Sequence, residues 1–161
     1  MKDGMFMKAR NMVVILICFV ILFSICACGT NMAEKKEEFA SKEQFIEDMA
    51  KGLSNRHDHV DDSITRTPEE MAVYYQELVS LELEQIEKYE SEVFEDHLFN
   101  ELAHTYIDAC QMQLFATQNH QNEHLRKLWL SAGTIRGAIV SEMYTNYNLP
   151  LSDMVLWAFD L

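Results

Sequence analysis

Between Pro68 and Pro150 the chain runs for 81 residues without a proline and with only two glycines, Gly133 and Gly137. A stretch this long with so few breakers is compatible with long helices and poorly compatible with a sheet, whose turns need Gly, Pro, Asn and Asp at short intervals. The apolar residues inside it recur at three- and four-residue steps, the period of a helix face.

Start signals divide the pattern. Thr67 as cap, Pro68 at the first helical position and Glu70 three residues after the cap open one helix. Met71, Tyr74, Leu78 and Leu81, then Ile86, Tyr89 and Val93, carry its stripe, with a break expected between Ser91 and Asp96. The next helix is expected from His97 to Gln118 along Leu98, Leu102, Tyr106, Cys110 and Leu114. After a turn at Asn119–Asn122, Leu125, Trp129, Ala132, Ile135, Ile139, Met143 and Tyr147 mark another, ended by Asn148 ahead of Pro150.

Upstream, Ser41 with Gln44 forms a capping-box pattern before Phe45, Ile46, Met49 and Leu53. Gly52 is expected near the end of that helix, with a polar loop over Ser54–Arg66. Ser152 caps a short last helix with Met154, Val155, Trp157 and Phe159. The predicted fold is all-α: an up-and-down bundle of about four helices over residues 41–161, one end sealed by the short C-terminal helix.

The N-terminus has a different character. Lys2, Lys8 and Arg10 precede an apolar run from Met12 to Ile25 and the small residues Ala27, Cys28 and Gly29, the parts of a secretory signal. A membrane helix needs about 20 apolar residues, and Met12–Cys28 supplies 17, so a retained anchor stays open beside a cleaved signal. In either case the leading cations stay in the cytoplasm and the remainder lies outside.

Ile25-Cys26-Ala27-Cys28-Gly29 resembles the lipobox of bacterial lipoproteins, with an aliphatic residue at −3, a small one at −1 and then the motif's cysteine. That resemblance implies cleavage between Ala27 and Cys28, lipidation of Cys28, a signal peptide at 1–27 and attachment to the outer face of the cell membrane. Residues 28–40, polar and without apolar rhythm after Cys28, then read as the lipidated cysteine and a tether. A second resemblance rests on Phe45-Ile46, Met49, Gly52-Leu53, Arg56, Tyr89, Tyr106-Ile107, Trp129 and Arg136. These look like a group of small helical lipoproteins of low-GC Gram-positive bacteria. The group carries no established activity, so the likeness implies location and fold and no mechanism.

Without residues 1–27 the chain has 10 Lys+Arg against 25 Asp+Glu, a net charge of −15. Nucleic acid is therefore not an expected partner, since phosphate binding needs basic patches. Cys110 is then the one thiol besides Cys28, so stability has to come from apolar packing.

Four groups of residues invite chemistry. His120-Gln121-Asn122-Glu123-His124 matches the H-x-x-E-H of some zinc hydrolases but falls where a turn is expected. His97, Glu101, His104 and Asp108 share one helix face, and Glu101-x-x-His104 matches half of a di-iron site whose second motif the chain lacks. His57-Asp58-His59 with Asp61 and Asp62 reads as a solvated loop able to collect a cation weakly, and Cys110 reads as a small core residue. None amounts to a catalytic, metal or cofactor site, so the expected role is non-enzymatic binding of a protein partner at the cell surface, as in immunity, exclusion or accessory factors. A groove for a small ligand or peptide, walled by Tyr74, Tyr75 or Trp129, is the alternative, and a metal-dependent enzyme is third.

Overall fold

The computed structural model describes residues 38–119 and 122–161; the expected signal segment 1–27, the Ala27–Cys28 junction, most of the tether and His120 lie outside the described residues. The described chain is an all-α, up-and-down bundle of four long helices and a short fifth: α1 (Lys42–Asp58), α2 (Pro68–Ile86), α3 (His97–Ala116), α4 (Glu123–Tyr147) and α5 (Asp153–Phe159). No helix among the described residues is long and apolar enough to cross a membrane.

Local chemistry sets most helix starts. The Ser41 hydroxyl accepts from the Gln44 N–H at 3.2 Å, although the Gln44 amide donates along the helix to Asp48 and does not complete a capping box. At Thr67 the box is complete: Glu70 N–H donates to the threonine hydroxyl and Thr67 N–H donates to the Glu70 carboxylate at 2.8 Å. Asp96 and Asn122 cap α3 and α4. Asn148 ends α4 in the left-handed region at φ 57°, a conformation asparagine tolerates better than most residues.

Several sequence expectations are corrected. Helix α1 continues past Gly52 to Asp58, so the first part of the expected Ser54–Arg66 loop is helical. Gly52 is a contact point and not a terminator: a Cβ there would lie 2.9 Å from the Glu82 carbonyl oxygen of α2. Helix α2 ends earlier than the Ser91–Asp96 break, passing at Glu87 into a 3-10 turn through Tyr89. That turn brings the buried Tyr89 ring against Phe45 and Phe94, while Val93, expected on the stripe, is exposed. In α3 Tyr106 and Cys110 of the expected stripe are buried and Leu102 and Leu114 pack on the core, but Leu98 is exposed and Phe99 takes its place, with Ala103, Ile107 and Gln113 also facing inward. In α4, likewise, Ile135 is exposed and Arg136 is buried.

The tether also ends sooner than expected, since Ala40 packs on the core and its N–H donates to the Val93 carbonyl at 2.8 Å.

Contacts between helix ends give the alternation of directions. Phe45 near the start of α1, Tyr89 after α2, Phe99 at the start of α3 and Tyr147 at the end of α4 join one aromatic cluster with Phe94. Its ring centroids lie 5.0–5.9 Å apart, mostly edge to face, the arrangement aromatic quadrupoles favour. At the far end the start of α2, the end of α3 and the start of α4 meet instead. Helix α5 packs against α1 and α4, with Val155 as its buried residue and Trp157 85% exposed.

Candidate functional site

Glu82 occupies a core position of α2, in step with Leu78, Val79, Leu83 and Ile86, and is fully buried. Its neighbours explain how a carboxylate survives there. Arg136 Nε donates to Oε1 at 2.6 Å, and the Tyr106 hydroxyl and Cys110 thiol donate to the same oxygen. Arg56 Nη1 donates to Oε2 at 2.9 Å and to the Gln113 side-chain oxygen at 3.2 Å. Gly133 makes room for that glutamine, since a Cβ there would lie 3.1 Å from Gln113 Nε2. Four helices thus converge on one carboxylate.

Burial alone would push the Glu82 carboxyl up, but the two guanidinium charges and the donated hydrogen bonds outweigh it and hold it at about 2. The same environment raises the Tyr106 hydroxyl and the Cys110 thiol well above their ordinary values, first through burial and then through Glu82. Burial works against the charge on Arg136, yet Glu82 raises its value on balance. At neutral pH the centre therefore holds one carboxylate, two guanidinium ions, a phenol and a thiol. With the carboxylate saturated by donors and the thiol protonated, neither is poised as a base or a nucleophile.

Beside this centre lies a cleft of about 260 Å³. Pro68, Met71, Ala72 and Tyr75 of α2 form one wall, Ala116 and Thr117 another, and Arg126 and Trp129 of α4 the third. The Trp129 ring stands 5.1 Å from that of Tyr75, while the Arg56 guanidinium lies over its face at 6.0 Å from the ring centre. Trp129 is thus shared by the cleft and the charged centre.

Of the three aromatic residues expected as groove walls, the structure brings Tyr75 and Trp129 together at the cleft. Tyr74 serves the α1–α2 connection: its hydroxyl accepts from Asp61 N–H at 2.7 Å and donates to the His59 carbonyl, and Arg66 stacks 3.7 Å above its ring. Asp61 uses its carboxylate to accept from Ser63, so the exposed loop expected here is present from His59 onward and is locally folded, while His57 and Asp58 belong to α1. His57 lies on the last turn of α1, half-buried against Phe159. His97 faces Glu101 at 3.7 Å on an exposed surface, and His104 Nε2 contacts the Glu92 carbonyl. Glu123 pairs with Lys127, and His124 is exposed. No group of three or more His, Cys, Asp or Glu among the described residues is arranged to hold a metal ion.

Sequence reasoning missed Glu82 and Gln113. The available signal was a lone carboxylate in phase with an apolar stripe, matched by Arg136 in phase between Ala132 and Ile139. Compared with protein-family models, with curated proteins and with solved structures, the chain matches none.

Proposed function

We propose that this chain is a non-enzymatic bacterial lipoprotein, anchored through lipid on Cys28 to the outer face of the membrane, whose bundle binds a protein partner through the cleft between α2, α3 and α4. The anchor rests on the Ile25–Gly29 lipobox pattern. The binding role rests on one observation: an apolar recess walled by Tyr75 and Trp129 at the end of the bundle where α2, α3 and α4 meet.

Aromatic side chains that line a recess are characteristic anchors of protein interfaces, where one inserted side chain carries much of the affinity. The volume of about 260 Å³ favours a single inserted side chain over a whole metabolite, since small-molecule pockets run from about 300 Å³ upward.

A photo-crosslinking residue in place of Tyr75, compared on intact cells with one in place of exposed Val93 at the opposite end, tests the reading. The expected result is a discrete crosslinked protein from position 75, absent from position 93 and lost when Ala72→Trp fills the cleft. Crosslinks that ignore the cleft, or none at all, would overturn it. Cys28→Ser tests the anchor separately: the chain should accumulate as a larger precursor that takes up no labelled fatty acid, and an unchanged size with unchanged labelling would contradict lipidation.

A further inference from the structure

The buried centre is not electrically balanced. Arg56 and Arg136 bring two positive charges and Glu82 a single negative one, all three under 10% exposed, and an uncompensated buried ion is unfavourable. Two polar atoms in the same region are also idle: Arg136 Nη2 and His57 Nε2 are buried and have no hydrogen-bond partner. Buried donors without partners are rare enough to ask what they are for.

Both idle atoms belong to side chains that face one ring. The Phe159 ring centre of α5 lies 5.1 Å from the Arg136 guanidinium and 5.7 Å from the His57 ring, and a Cβ at Gly137 of α4 would lie 3.9 Å from its edge. Helix α5 is seven residues long and exposes Met154 and Trp157, so Val155 and the half-buried Phe159 are what hold it, less than the longer helices have. The charges that act on His57 are Arg136, Arg56, Glu82 and Asp58, and burial with the two arginines keeps its imidazole neutral.

We propose that the position now covered by Phe159 is a binding site for a compact oxyanion, a carboxylate or a phosphate, held by Arg136 Nη2 and His57 Nε2 when α5 lifts. One negative charge there balances the centre. A guanidinium N–H and an imidazole N–H provide two charge-assisted donors for two oxygens, the pairing such groups make best. The site lies on the Phe159 side of the arginines, away from Trp129 and the cleft, so it stands whether or not the cleft binds a partner.

The test uses the purified full chain in detergent, with sodium formate, sodium phosphate and sodium chloride compared at equal ionic strength. A saturable rise in melting temperature is expected with formate or phosphate over chloride, together with an upward shift of the His57 titration followed by NMR. Formate acting alone assigns the site to carboxylates, and phosphate acting alone assigns it to phosphate. His57→Phe, which keeps a ring against Phe159, should weaken the oxyanion response by about tenfold or more, the loss of one hydrogen bond to a charged group. Phe159→Ala should strengthen it. The same response to all three salts, which is what a bridging water alone would produce, or a formate and phosphate response unchanged by His57→Phe, would overturn the proposal.

Discussion

The two halves of the bundle are held by different physics. At one end Phe45, Phe94 and Phe99 meet Tyr89 and Tyr147 ring against ring, and the polar group that enters is the Tyr89 hydroxyl, which donates to Asp48 at 2.7 Å beside Lys88. Toward the other end the helices close over Glu82, Arg56 and Arg136 and then part to leave the cleft. Apolar packing tolerates exchange of one shape for a similar one, because no partner is left stranded. A buried ion does not, because each group needs its counterpart. The aromatic end is thus built for stability and the charged half for a defined arrangement of α1, α2, α3 and α4 around one carboxylate.

The largest expected effect follows from near-isosteric swaps in the two halves. Glu82→Gln keeps the shape and strands two guanidinium ions, and should lower the unfolding free energy by about 3–5 kcal/mol in urea titrations. Met49→Leu, in the apolar half, should cost less than about 1.5 kcal/mol. Comparable losses for the two would erase the distinction.

Next in size is Gly52→Ala. The new Cβ meets the Glu82 carbonyl at 2.9 Å, and such overpacking costs about 1–3 kcal/mol, against a helix-propensity gain of about 1 kcal/mol. A net loss in thermal unfolding is expected, and a gain would show that α1 and α2 can separate freely at this point.

The pH dependence separates the groups by sign. Glu82 sits at about 2 in the folded chain against an ordinary 4.5, so its stabilisation is complete above about pH 4.5 and falls away as the pH drops toward 2. His57 is lowered from 6.5, so the unfolded chain takes up its proton first and stability declines as the pH falls below about 6.5. His57→Phe should remove the upper decline and leave the lower one, as followed by melting temperature across pH. An unchanged upper decline would place its origin elsewhere.

Thr67→Ala should have the smallest effect, about 1 kcal/mol, from loss of the capping box that opens α2 at the cleft. Amide exchange should speed up in the first turn of α2 while the aromatic end is unaffected.

What was legible in the sequence divides along physical lines. Thr67-Pro68-Glu70, Ser41, Asn148 and Ser152 act within a few residues of themselves, so their roles could be read directly. Gly52 was misread because one property, the missing Cβ, serves both helix ends and close helix contacts. The α3 stripe held at Tyr106 and Cys110 but began on the wrong residue, because Leu98 and Phe99 are both apolar and only the aromatic cluster chooses between them. Tyr75 was recognised as a wall and its neighbour Tyr74 was not separable from it, because which of two adjacent rings faces a partner helix depends on packing. Glu82 stayed hidden, and Arg136 was noticed without a role, for a deeper reason: each is improbable in a core by itself, and only the pair, 54 positions apart in the chain, makes either acceptable.

A double-mutant cycle on that pair tests the account most directly. Glu82→Gln, Arg136→Gln and the combination, compared by urea unfolding, should be strongly non-additive, with a coupling of about 2–3 kcal/mol, because once either charge is gone the other loses its reason to be buried. Additivity within about 0.5 kcal/mol would mean that the two side chains are buried independently, and that the charged half is held together by something other than its ions.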